Sequence, residues 1–99
     1  MKIPKQIKLG GQVINVIFDD EMCSRDSVLG QCDNNHNKII LAKNIFGDSI
    51  PEDRIERTLY HEITHWILFN CGEEELYKDE KFVDRLSLFI QELVTQNKL

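Results

Sequence analysis

The chain has 99 residues, 41% of them hydrophobic and 29% charged, with a formal net charge of −5. That is the length of one domain and the composition of a folded globule, not of a disordered tract. No apolar run approaches the ~20 residues of a transmembrane helix. Residues 1–50 carry six acids and six bases and residues 51–99 eleven acids and six bases, so the acidic excess lies in the second half, which argues against a general nucleic-acid binder.

Met1-Lys2-Ile3-Pro4-Lys5 lacks the apolar stretch of a signal peptide, and a cytoplasmic protein with no membrane partner is expected. The cysteines, Cys23, Cys32 and Cys71, show no Cys-x-x-Cys spacing and read as reduced thiols. Residues 1–45 look β-rich. Gly10-Gly11 predicts a hairpin turn leading into the strand Val13–Phe18, which ends at Asp19-Asp20-Glu21. A short strand over Val28–Cys32, a polar turn over Asp33–Asn37 and a strand over Lys38–Ala42 complete a three- or four-stranded antiparallel sheet.

The periodicity then changes. Ser49 stands three residues before Glu52, a capping-box spacing, and Pro51 suits a first helical turn. A helix is predicted over residues 49–70, with Gly72 as its C-terminal cap. A second helix is predicted over residues 74–95. Its apolar positions, Phe82, Val83, Leu86, Phe89, Ile90, Leu93 and Val94, are spaced three and four apart, so the stripe should pack on the first helix, the sheet or both. The expected fold is α+β, one domain over 1–99, with the small sheet packed on a two-helix hairpin.

The first of those helices carries His61-Glu62-Ile63-Thr64-His65. Two histidines four apart lie one turn apart on one face, about 40° around the axis, and can chelate one tetrahedral Zn²⁺. Glu62, rotated about 100° from His61, is poorly placed to ligate but can reach a water held at the site. The pattern is a metalloprotease signature. A catalytic zinc needs a third protein ligand and an open position. Asp79, Glu80, Asp84, Glu92, His36 and Cys71 are the candidates. From His65 to Asn70 the chain climbs five residues, turns at Cys71–Glu74, and descends five from Glu75 to Glu80. Both legs are about 7.5 Å, which returns Glu80 to the level of His65. Asp79 lies near that level, but within the apolar stripe of the second helix. Asp84, one turn beyond Glu80, is placed to accept the second N–H of a ligating imidazole, His61 above all. Its alternative is an exposed acid paired with Lys81.

His61-Glu62-Ile63-Thr64-His65 followed by Glu80-Lys81-Phe82-Val83-Asp84 resembles the gluzincin arrangement, and the compact layout is similar to the minigluzincins and the SprT-like and ImmA/IrrE-like peptidases over roughly residues 28–95. The resemblance implies that His61, His65 and Glu80 hold Zn²⁺ and that Glu62 is the general base of a peptidase. Larger gluzincins add a His or Tyr at the oxyanion; Tyr60 and Tyr77 are the candidates here, and both also suit packing. The expected reaction is hydrolysis of a peptide or protein substrate by a zinc-activated water, with the substrate added to the edge strand Lys38–Ala42. The alternative is a zinc-binding regulatory or interaction protein, of phage or toxin–antitoxin type, with a latent site. In one form of it the tail Thr95-Gln96-Asn97-Lys98-Leu99 folds over the cleft. Trp66–Phe69 are expected in the core and His36 in solvent.

Overall fold

The structure, a computed structural model, describes residues 3–97. The α+β architecture is as expected. Four strands, β1 (Gln6–Leu9), β2 (Gln12–Phe18), β3 (Gly30–Asp33) and β4 (Lys38–Leu41), form one sheet in the order β1-β2-β4-β3. The sheet is mixed, not antiparallel: β2 and β4 run parallel, with Val16 opposite Ile39, while β1–β2 and β3–β4 are antiparallel.

The cause is a helix not expected from the sequence, α1 (Asp20–Asp26). Asp19 does end β2, but as the helix's cap, its Oδ1 accepting from Met22 N at 3.0 Å. Cys23 is fully buried beneath the helix, and Ser27 ends it in the left-handed conformation at φ 54°. α1 carries the chain past one strand position, so β3 enters the sheet opposite in direction to β2 but not beside it, and the β3–β4 turn then brings the chain back between them, parallel to β2. β4 thereby lies inside, between β2 and β3, and the expected edge strand Lys38–Ala42 is corrected to β3.

Beyond the sheet, β5 (Asn44–Ile45) and β6 (Asp48–Ser49) form a small hairpin. Because Ser49 is paired there with Asn44, the Ser49–Glu52 capping box does not form. Pro51 takes the N-cap position of α2 (Glu52–Asn70), and its carbonyl accepts from Arg54 N and Ile55 N. Along α2, Leu59, Tyr60, Ile63 and Trp66 turn inward on Ile14, Val16, Ile39 and Leu41 of the sheet. At roughly 1.5–3 kcal/mol for each large apolar side chain buried, this layer is the main source of stability. Trp66 Nε1 also donates to Asn37 Oδ1 at 3.3 Å, pinning α2 to the β3–β4 turn.

The end of α2 is a Schellman turn. Gly72 sits at φ +76°, Gly72 N donates to Phe69 O, and Glu73 N donates to Leu68 O. The second helix is not continuous. A short α3 (Glu74–Lys78) stops at Asp79, which is extended at φ −85°, ψ 91°, and caps α4 (Glu80–Thr95) by accepting from Phe82 N at 3.1 Å. An aspartate side chain that satisfies an amide three residues ahead competes with helical continuation, so the break falls there. α4 returns antiparallel along α2, with Val83 and Ser87 fully buried between them. The apolar stripe does not pack throughout, however. Phe82, Phe89 and Leu93 are 37%, 68% and 54% exposed. No helix among the described residues is long and apolar enough to cross a membrane. Thr95 and Gln96 lie beside Asp53 at the end of α4 remote from Glu80. Met1, Lys2, Lys98 and Leu99, which carry part of the signal-peptide and tail expectations, lie outside the described residues.

Candidate metal centre

One face of α2 is committed to the sheet, and the residues bordering it open onto a cleft of about 820 Å³ between α2, β3 and the α3–α4 segment. His61, Glu62 and His65 stand on its floor. The first turn of α4 brings in Glu80, whose Oε2 lies 2.9 Å from His61 Nε2 and whose Oε1 lies 3.0 Å from His65 Nε2. The three donor atoms lie within 4.8 Å of one another. Among the described residues this is the one group of His, Cys, Asp and Glu side chains placed to share an ion. Two imidazole nitrogens converging with a carboxylate are a donor set that fits a divalent metal ion.

The surroundings of each donor differ. His61 is flanked by Asp84, whose Oδ1 lies 3.4 Å from Nδ1. The cation beside Asp84 is Arg57, not Lys81. Arg57 Nη2 donates to Asp84 Oδ1 at 3.0 Å and to Asp84 O at 2.6 Å, and Nη1 donates to Ser87 Oγ at 2.8 Å. His65 is 8% exposed, and burial holds its imidazole below the usual histidine range, against the pull of Glu80. The Tyr77 main chain favours the protonated ring, yet no hydrogen bond of good geometry reaches the buried Nδ1. Glu62 is 9% exposed. Burial pushes its carboxyl up to about 7; His61 pulls it down and Glu80 pushes it further up. A carboxylate held in that range suits general-base work near neutral pH.

The cleft wall facing α2 is the edge strand. A Cβ on Gly30 would lie 2.6 Å from Thr58 Cγ2, so glycine is what lets β3 approach the helix this closely. Of the two tyrosines, Tyr60 is 5% exposed within the core, whereas Tyr77 lines the cleft with its ring 5.0 Å from that of His65 and edge-on to it. The Tyr77 hydroxyl accepts from Asn34 Nδ2 at 3.1 Å. The remaining candidates are elsewhere. Asp79 is the α4 cap, Cys71 is exposed after α2, and Glu92 is exposed along α4. His36 is exposed on its turn, paired with Asp33 at 3.0 Å. Trp66 and Leu68 are core residues, but Phe69 is 49% exposed and tilts on Tyr77.

Sequence reasoning missed Arg57 and Gly30. Arg57 stands four residues before His61, on the same helical face, which was the available signal. Gly30 carried none, since its role depends on a helix 28 residues away. Compared with known proteins, the chain matches no family model, no curated protein and no solved structure.

Proposed function

We propose that the chain is a zinc-dependent peptidase. The observation that carries this reading is the convergence of His61, His65 and Glu80 within 4.8 Å, beside the buried carboxylate of Glu62, on the floor of an open cleft. His61, His65 and Glu80 hold the metal in this reading, and two histidines with one glutamate are a donor set typical of hydrolytic zinc. When bound, zinc supplies Lewis-acid polarisation of the scissile carbonyl and lowers the pKa of water.

The chain's own residues supply the rest. Glu62 accepts the proton of the attacking water and returns it to the departing amine. Asp84, steadied by Arg57, fixes the ring of His61. β3, with one side unpaired in the sheet, offers main-chain donors and acceptors along the cleft to an extended peptide.

The test is metal content and peptide cleavage measured side by side. Wild type should hold one zinc per chain and cleave an unstructured peptide library. His65→Ala and Glu80→Ala should lose the metal. Glu62→Gln should keep it while cleavage falls by about 10²–10⁴-fold. A wild type that takes up no stoichiometric metal sinks the proposal. Cleavage unchanged in Glu62→Gln removes Glu62 as the base, and a wild type that holds zinc but cleaves nothing leaves a zinc-binding protein.

A further inference from the structure

α4 has more apolar surface than its own core consumes. Val83, fully buried, and the half-buried Ile90 face α2 and the sheet. A second apolar row, Phe82, Leu86, Phe89 and Leu93, runs beside them. Phe82, Phe89 and Leu93 are 37%, 68% and 54% exposed, and Leu86 is half-buried. The spacing along that row is four, three, four, which is a heptad seam over two repeats. Phe82 and Phe89 take the d positions, Leu86 and Leu93 the a positions, and the exposed Arg85 and Glu92 both take g.

This pattern is self-complementary when two copies run antiparallel about a two-fold axis. Phe82 of one copy then layers on Leu93 of the other, and Leu86 on Phe89, so every layer pairs an aromatic with a leucine. In the same register Arg85 of one copy faces Glu92 of the second, and the two-fold axis repeats the pair with opposite sense. The opposite flank of the seam is formed by Val83 and Ile90, already engaged in each copy's own core. Charge and shape thus agree on one occupant.

We propose that the chain forms an antiparallel two-fold dimer through the Phe82–Leu86–Phe89–Leu93 seam of α4. At 100° per residue the seam lies nearly opposite Asp84 around the helix, so both clefts stay open in the dimer. The dimer does not depend on metal or on catalysis. One helix pair is a small interface, so association should be concentration-dependent.

The experiment is sedimentation equilibrium from about 1 to about 500 µM, a range that brackets the micromolar affinity of such an interface. Wild type should rise from the 11.6 kDa of one chain toward twice that mass. Phe89→Glu should remain at one chain's mass at every concentration while keeping its circular dichroism spectrum. Arg85→Glu should weaken association at least tenfold, and the exchange Arg85→Glu with Glu92→Arg should restore it. A wild type that stays monomeric across the range overturns the proposal, as does Phe89→Glu associating like wild type. Failure of the charge exchange to restore association overturns the antiparallel register.

Discussion

Arg57 ties two helices to one imidazole. Its guanidinium spans Asp84 Oδ1, Asp84 O and Ser87 Oγ, and Ser87 is fully buried, so the fork has little freedom. Asp84 alone is an exposed acid on a helix surface, and a pair of that kind contributes little to stability. Its consequence lies in orientation, because it stands 3.4 Å from His61 Nδ1. Groups that fix a ligating ring commonly carry 10- to 100-fold in metal affinity. Arg57→Ala should therefore weaken zinc binding by roughly 10-fold, measured by competition with a chromophoric chelator. Arg57→Lys should recover only part of it, since an ammonium cannot reproduce the two-pronged contact. Unchanged affinity in Arg57→Ala would reduce the fork to helix packing. At this scale the grouping of His61, His65 and Glu80 was legible, because helical rise and period are fixed numbers and return Glu80 to the level of His65. Arg57 was not, because its partners lie 27 and 30 residues away on another helix, and a lone arginine near a helix start usually marks a solvated face.

The descent to Glu80 relies on two punctuation points, Gly72 and Asp79. Gly72 holds φ +76° at the Schellman turn, and a Cβ there would meet nothing within 4 Å. The cost of Gly72→Ala is thus purely conformational, about 1–2 kcal/mol for a left-handed alanine. Asp79→Ala removes the α4 cap and should cost about 1 kcal/mol. Urea titration should show both losses as a lower midpoint with an unchanged slope. Loss of stability in neither variant would mean that the α2–α4 packing alone sets the hairpin. Gly72 was readable as a cap because glycine there has one common use. The Asp79 break was not, because the apolar spacing of three and four continues straight through it. Only the preference of aspartate for capping could have argued for two helices. α1 escaped for the same reason: Asp19-Asp20-Glu21 ends a strand and starts a helix with the same residues.

Strand direction is a property of the whole molecule, and it is the part of the fold that residue patterns carried least. Alternation places Ile39 and Leu41 in the core whether β4 runs parallel or antiparallel to β2. What decides the matter is the path of the connection through α1 and β3. That path puts β3 at the edge and the cleft between β3 and α2, so the site is assembled from both halves of the chain. The group His61, His65 and Glu80 itself joins only α2 and α4. An ion binding there favours the folded chain, because the unfolded chain does not hold the three donors together. Zinc at about 100 times its dissociation constant should add about 2.7 kcal/mol. For a domain of this size each 1 kcal/mol moves the melting temperature by roughly 4–8 °C, so saturation should raise it by about 10–20 °C and a chelator should reverse the shift. Glu80→Ala should melt at one temperature with or without zinc, since removing the α4 donor leaves two histidines, too few to hold the ion. If Glu80→Ala shifts as far as wild type, the ion is held by α2 alone, and the hairpin closes on packing and caps without it.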